Sequence, residues 1–149
     1  MIERYKFTPD FSPEVTPQIM RDVTIAGHQA YEEVGSMYGI SPSQVYRTGT
    51  CFDVSDAMMP YLQDRGYSLY PTDVSFMFVD HHYLRFSPPD SKQIFLADGT
   101  WQQFAQKESC KGLLLPKILI GTPEGVAQQL HSYGFNEEEV SPWGRLKKS

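Results

Sequence analysis

A long run of apolar residues at helical spacing near the start of the chain limits the possible folds more than any other feature. Between residues 17 and 38 the apolar side chains recur every three or four positions: Ile19, Val23, Ala26, Ala30, Val34 and Met37. Thr16 followed by Pro17 is typical of a helix start, and Gly39 is typical of a stop. The sequence therefore predicts an amphipathic helix over residues 17–38, whose apolar face other elements must cover.

The middle of the chain has the composition of β-strands. Residues 67–86 are rich in aromatic and β-branched side chains, with interruptions at Pro71 and Asp80, which predicts two or three strands. The turn-forming residues 87–91 and the segment 93–97 predict a hairpin with the last of these strands. Strands joined in this way are antiparallel.

Two further segments complete the expected fold. Residues 113–120 predict a strand at a sheet edge, because Pro116 has no N–H to donate to a neighbouring strand. Thr122 followed by Pro123 opens a second amphipathic helix, which runs to about Tyr133. We therefore expect an α+β fold in which a helix packs on an antiparallel sheet.

The length and composition are those of a globular chain. The protein has 149 residues, of which 40% are hydrophobic and 21% charged, enough for one domain with a hydrophobic core. We expect a single domain over residues 1–149. Its first residues, 1–13, predict an irregular arm, and residues 136–149 predict a flexible tail.

The charge and the absence of long apolar runs limit the partners. A net charge of −5 argues against nucleic acid or an anionic membrane as the main partner. No apolar run approaches the roughly 20 residues that cross a bilayer. The first residues lack the basic and apolar regions of a signal peptide. We expect a protein of the cytoplasm, or one delivered into the cytosol of another cell, that works without a cofactor.

The segment from Gly49 to Ser55 places a cysteine at a predicted helix start. Apolar residues recur after it at helical spacing: Val54, Met58, Tyr61 and Leu62. Thr50 and Asp53 have the spacing of a capping box, so Cys51 would be the first helical residue. The N–H groups and the dipole at such a position stabilise a negatively charged sulfur, although Asp53 opposes this. Pro60 predicts a kink or an early end of this helix.

A histidine and an aspartate follow the cysteine in an order that suits nucleophilic catalysis. A thiol nucleophile needs a base for its proton, and the base needs a third group that holds its orientation. Cys51 begins a helix, the pair His81-His82 lies on the next strands, and Asp98 ends the strand after that. Because a hairpin turn separates the histidines from the aspartate, the two can lie side by side.

The same three segments resemble a known superfamily. Gly49-Thr50-Cys51-Phe52-Asp53, His81-His82-Tyr83-Leu84 and Asp98-Gly99-Thr100-Trp101-Gln102-Gln103-Phe104 are similar to the transglutaminase-like branch of papain-like cysteine hydrolases. The Thr-Trp-x-Gln-Phe form resembles the dermonecrotic-toxin-like glutamine deamidase domains of bacterial toxins and effectors. Leu119-Ile120-Gly121-Thr122 before a helix is similar to their closing strand and helix. The resemblance covers about residues 45–133 and implies a papain-like core with a Cys-His-Asp triad.

The doubled histidine leaves two candidates for the base. If residues 82–86 form one strand, His82 shares a face with Leu84 and Phe86, whereas His81 shares the other face with Tyr83. The first face is the more apolar and should point to the core and the cysteine helix. The His-x-aromatic pattern of transglutaminases instead fits His81. We predict Cys51, His82 and Asp98 as the catalytic residues.

The sequence also suggests roles for residues around the predicted triad. The N–H of Cys51 and, by analogy with papain-like enzymes, the Gln44 side chain are candidate oxyanion donors. Trp101 is expected to pack beneath Asp98. The cysteines and histidines do not have metal-ligand spacing, so we expect no metal site. A disulfide between Cys51 and Cys110 is compatible with the sequence.

These observations predict a cysteine-dependent amide hydrolase. The resemblance implies deamidation of a glutamine on a host regulatory protein, such as a G protein or a ubiquitin-pathway enzyme. A cysteine protease, for example one that trims a leader peptide, and a transglutaminase use the same triad and remain alternatives. A binding module without activity, in which Cys51 is an ordinary core residue, is the alternative from another class.

Overall fold

The computed structural model describes residues 14–76 and 79–144. Its helices are α1 (Pro17–Tyr38), α2 (Pro42–Val45), α3 (Cys51–Asp64), α4 (Pro123–Ser132) and α5 (Glu137–Val140). Its strands are β1 (Ser68–Phe76), β2 (Val79–Ser87), β3 (Phe95–Asp98) and β4 (Leu119–Gly121), and two short 3-10 turns cover Trp101–Phe104 and Glu108–Cys110. The predicted α+β class is confirmed. The expected arm at residues 1–13 lies outside the described residues.

The long helices begin and end where their local sequence signals predict. The Thr16 hydroxyl accepts a hydrogen bond from the N–H of Ile19 at the start of α1, and Gly39 ends that helix in a left-handed conformation with φ 68°. Thr122 caps α4 in the same manner. The early end predicted at Pro60 is wrong, because α3 continues through this residue to Asp64.

The four strands form one antiparallel sheet in the order β1-β2-β3-β4. The predicted hairpin between β2 and β3 is confirmed. Pro71 and Asp80 do not interrupt the strands, because both lie inside long strands that pair with each other. The strand predicted over residues 113–120 is wrong for most of its length, since only Leu119–Gly121 pairs with β3.

Both faces of the sheet are buried from His81 of β2 through β3 and β4, whereas the described residues of the edge strand β1 are exposed or half-buried. On one face α1 and α3 pack against apolar residues of the sheet, which include Leu84, Phe86, Phe95, Ala97 and Ile120. On the other face a second cluster joins the sheet to α4 and the C-terminal residues, and it includes Tyr83, Leu96, Leu119, Leu130 and Trp143. Strands that are covered on both faces have no solvent-facing side by which the sequence could distinguish one face from the other.

The C-terminal segment differs from the expected flexible tail over residues 136–144. Asn136 and Glu139 form a capping box at the start of α5, and Val140 and Trp143 are fully buried. Lys107 pairs with Glu139 at 2.8 Å and ties the segment to the rest of the fold. Residues 145–149 lie outside the described residues.

We find no helix within residues 14–76 and 79–144 that is both long and apolar enough to cross a membrane.

Candidate active site

Cys51 is the first residue of α3, and the helix start is not capped. Thr50 makes no side-chain hydrogen bond to the first turn, because its hydroxyl pairs with that of Thr48 at 2.7 Å. The predicted capping box of Thr50 and Asp53 is therefore wrong. The N–H groups of the first turn have no partner within the helix. They remain available to an oxygen bound beside the Cys51 sulfur.

A glycine brings the end of β3 against this helix start. A Cβ atom at Gly99 would lie 2.9 Å from Val54 Cγ1, so the backbone after Asp98 touches the first turn of α3 only because residue 99 has no side chain. The Tyr31 hydroxyl of α1 donates to the Gly99 carbonyl at 2.8 Å and holds it there. Asp98 and Cys51 belong to elements that this contact fixes relative to each other.

His81 pairs with Asp98. Its Nε2 donates to Asp98 Oδ2 at 2.5 Å, and both residues are 1% exposed. The other ring nitrogen, Nδ1, has no hydrogen-bond partner of normal geometry among the described residues, although the Cys51 side chain interacts with this ring. The imidazole thus lies between a carboxylate and a thiol, with one nitrogen engaged and the other open.

The surroundings of His81 favour its protonated form. Burial alone lowers the pKa of an imidazole, but the charge of Asp98 and its hydrogen bond, with a smaller contribution from Cys51, raise the pKa of His81 to about 9. An imidazolium that stays protonated at neutral pH can supply a proton to a leaving group.

His81, and not the predicted His82, pairs with Asp98, and the predicted catalytic role of His82 stays a prediction. His82 contacts neither Asp98 nor Cys51 through a hydrogen bond within the described part of the chain. Its Nδ1 donates to Asp73 at 2.5 Å, and its ring stacks on Phe52 with centroids 4.2 Å apart. His82 does face the cysteine helix, as its strand phase predicts. Its ring packs on Phe52, the residue after Cys51, and it does not pair with Asp98.

The strand register explains why the other histidine pairs with Asp98. Arg85 on β2 lies opposite Leu96 on β3, and residues opposite each other share a face of the sheet. His81 is four residues before Arg85, and Asp98 is two residues after Leu96, so both lie on this same face. The first turn of α3 lies against the end of β3. At this place Cys51 can reach the His81 side chain, which lies on the same face as Asp98.

Three donors hold the Asp98 carboxylate. Oδ2 accepts from His81 and also from the indole Nε1 of Trp143 at 2.6 Å, while Oδ1 accepts from the Thr100 backbone N–H at 3.1 Å. The Phe104 ring meets His81 edge-on at 4.8 Å and shields it from water. Sequence reasoning missed Trp143, although the spacing of Asn136 and Glu139 is a helix-start signal that could have shown this segment to be ordered.

The remaining candidate residues have simpler positions. Gln44 is exposed on α2, and its expected oxyanion role stays a prediction. Trp101 is fully buried, donates to the Pro116 carbonyl at 2.9 Å and stacks on Tyr133, as a packing residue does. Cys51 and Cys110 are both free thiols, so the structure does not contain the disulfide that the sequence allowed.

The protein also has a groove away from this site. A groove of about 510 Å³ lies beside Asp22 and Arg65, at the opposite end of α3 from Cys51. Among the described residues, no three His, Cys, Asp or Glu side chains come together in a way that could hold a metal ion.

The site thus consists of a cysteine at a helix start and a buried histidine that is paired with an aspartate. Neither the models of protein families, nor the curated proteins, nor the solved structures contain a match to this chain. The resemblance to papain-like hydrolases accordingly rests on the residues quoted above.

Proposed function

We propose that the protein is a cysteine-dependent amide hydrolase with a papain-like core, whose catalytic residues are Cys51, His81 and Asp98. The observation that carries this proposal is the buried His81–Asp98 pair, which leaves Nδ1 of His81 open on the ring that Cys51 contacts. A buried ion pair of this kind is costly to desolvate, and a purely structural role is filled more cheaply by apolar residues. Perturbed titratable groups of this type are concentrated at functional sites.

The proposed reaction proceeds in two halves. The Cys51 thiolate attacks the carbonyl carbon of a carboxamide, and the N–H groups at the start of α3 stabilise the negative oxygen that forms. The C–N bond breaks as His81 gives its proton to the nitrogen. Ammonia leaves, and the acyl group remains on Cys51 as a thioester. His81 then takes a proton from water, and the resulting hydroxide attacks the thioester, which frees a carboxylic acid and restores the Cys51 thiolate beside the protonated His81. Asp98 keeps the imidazole oriented throughout.

The narrow approach to the sulfur supports a side-chain amide as the substrate. Cys51 is 6% exposed and His81 is 1% exposed, so an extended peptide backbone has little room to lie across them. A glutamine side chain ends in a slim carboxamide on a flexible stem and can enter end-on. Exposed aromatic rings of Tyr38 and Phe52 flank the same helix start, which suits a protein surface as the carrier of that glutamine. We therefore propose glutamine deamidation of a protein over cleavage of a chain.

Intact-mass spectrometry of incubated proteins tests this proposal. Small G proteins and ubiquitin-pathway enzymes are incubated with the wild-type protein and, as the matched control, with Cys51→Ala. We expect the mass gain of an amide converted to an acid, with the wild type only. Cleavage products would indicate the protease alternative, and a product joined to an added amine would indicate a transglutaminase. If the wild type also fails to react with iodoacetamide at Cys51, the thiol-hydrolase proposal is wrong.

A further inference from the structure

The same oxygen of Asp98 that receives the His81 hydrogen bond receives a second one from the C-terminal segment. Trp143 Nε1 donates to Oδ2 at 2.6 Å, and His81 Nε2 donates to it at 2.5 Å. The indole is fully buried, and its ring meets the imidazole at a steep angle with centroids 5.9 Å apart. Trp143 therefore contacts two members of the proposed triad.

The backbone of Trp143 is itself held by the strand that carries His81. The Tyr83 hydroxyl donates to the Pro142 carbonyl at 2.8 Å, and the Arg85 guanidinium donates to the Trp143 carbonyl at 3.4 Å. His81, Tyr83 and Arg85 alternate along one face of β2. The strand face that presents His81 therefore also fixes Trp143, and Trp143 in turn holds Asp98.

The position of Asp98 depends on this second donor. A carboxylate bonded only to His81 and to the Thr100 N–H could turn about its side-chain bonds while it keeps one of these contacts. The indole approaches Oδ2 from the C-terminal segment and excludes such rotations, because a rotated carboxylate would leave a buried N–H without a partner. Buried polar networks with every member paired are rigid for this reason.

We propose that Trp143 is a positioning residue of the active site, which fixes the Asp98 carboxylate and through it the orientation of the His81 imidazole. The inference rests on the proposed function in so far as His81 and Cys51 perform catalysis. It makes residues 136–144 a part of the active site, because they bring this indole to Asp98.

Trp143→Phe tests the inference, with Trp101→Phe as the matched control. Both tryptophans are fully buried, and each donates one indole hydrogen bond: that of Trp143 goes to Asp98 and that of Trp101 goes to the Pro116 carbonyl. Both variants lose a similar buried contact, so their losses of thermal stability should be similar. The rate of Cys51 alkylation by iodoacetamide and the pKa of His81, followed by NMR, distinguish them.

We expect alkylation in Trp143→Phe to be at least about tenfold slower than in Trp101→Phe. The pKa of His81 should fall in Trp143→Phe alone, because a mobile Asp98 stabilises the imidazolium less. The inference is overturned if the two variants alkylate at equal rates. It is also overturned if the pKa of His81 rises while the rate is retained, since the indole would then only compete with His81 for the carboxylate.

A measurement on the wild-type protein decides the case even if Trp143→Phe does not fold. The indole N–H signal of Trp143 should move with the same pH midpoint as His81, and that of Trp101 should not. A Trp143 signal that ignores this titration would overturn the inference. Failure of the proposed function is distinguishable, because it would appear as a Cys51 whose alkylation does not depend on His81, whatever the indole signals do.

Discussion

Gly99 and Val54 approach so closely that a Cβ atom on the glycine would lie 2.9 Å from Val54 Cγ1. The contact joins the turn after Asp98 to the first turn of the helix that begins at Cys51. This apolar contact and the Tyr31 hydrogen bond to the Gly99 carbonyl help to fix the segment that carries Asp98 against the helix that carries Cys51. The geometry of the site depends on packing at a residue without a side chain.

Gly99→Ala should therefore damage both stability and the site. The added methyl group meets Val54 and the Tyr31 hydroxyl, and forcing such an atom into a packed core costs about 1–3 kcal/mol of unfolding free energy. We expect the alkylation of Cys51 to slow as the two turns separate. Gly49→Ala is the control, since its nearest neighbour would be Gln103 Oε1 at an ordinary 4.0 Å. Urea unfolding and alkylation rates of both variants check the prediction, which equal behaviour of the two would contradict.

The two cysteines should differ sharply in reactivity. Cys110 Sγ contacts the Tyr133 carbonyl at 3.6 Å, and burial raises the pKa of its thiol, so it should stay unmodified. Iodoacetamide at neutral pH should add one group to the wild type, none to Cys51→Ala and one to Cys110→Ser. Intact-mass spectrometry counts the adducts. A Cys51 that is inert in the folded protein would support the alternative of a core cysteine in a binding module.

The histidines offer a matched pair of substitutions on adjacent positions. His81→Gln removes the ring between Asp98 and Cys51, and turnover should fall by about 10²- to 10⁴-fold, the usual contribution of a general acid–base. His82→Gln removes the ring that stacks on Phe52 and bonds Asp73, which should have a far smaller effect. The rate at which a protein substrate is deamidated measures the effect of both substitutions. Until such a substrate is found, the rate of Cys51 alkylation serves the same purpose. A larger loss in His82→Gln would restore His82 as the base.

The raised pKa of His81 makes stability depend on pH in a defined window. In the unfolded chain a histidine has its ordinary pKa of about 6.5. In the folded protein the His81 ring keeps its proton up to about pH 9. The titratable groups around this ring are Asp98, Cys51 and Tyr83. The stabilisation is fully present below the unfolded pKa and is lost as pH rises through about 9.

A shift of this size corresponds to a stabilisation on the order of 3 kcal/mol. Urea unfolding of the wild type at several pH values should show this loss, and in His81→Gln the same slope should be absent. Identical slopes in the two proteins would mean that His81 does not carry the effect.

Local sequence signals account for much of the fold. Thr16, Pro17 and Gly39 set the ends of α1, and Thr122 and Pro123 set the start of α4, because caps and prolines act on backbone groups a few residues away. The sequence also determined that Cys51 begins a helix and that Asp98 ends a strand of a hairpin.

Tertiary structure decided the rest of the site. His81 and not His82 meets Asp98 because the strand register places His81 and Asp98 on one face. Strand segments that are buried on both faces give no sign of that register in their hydrophobic pattern. Trp143 reaches Asp98 across a separation of 45 residues. Such contacts depend on how distant segments pack together, whereas sequence patterns report only what neighbouring residues do to one another.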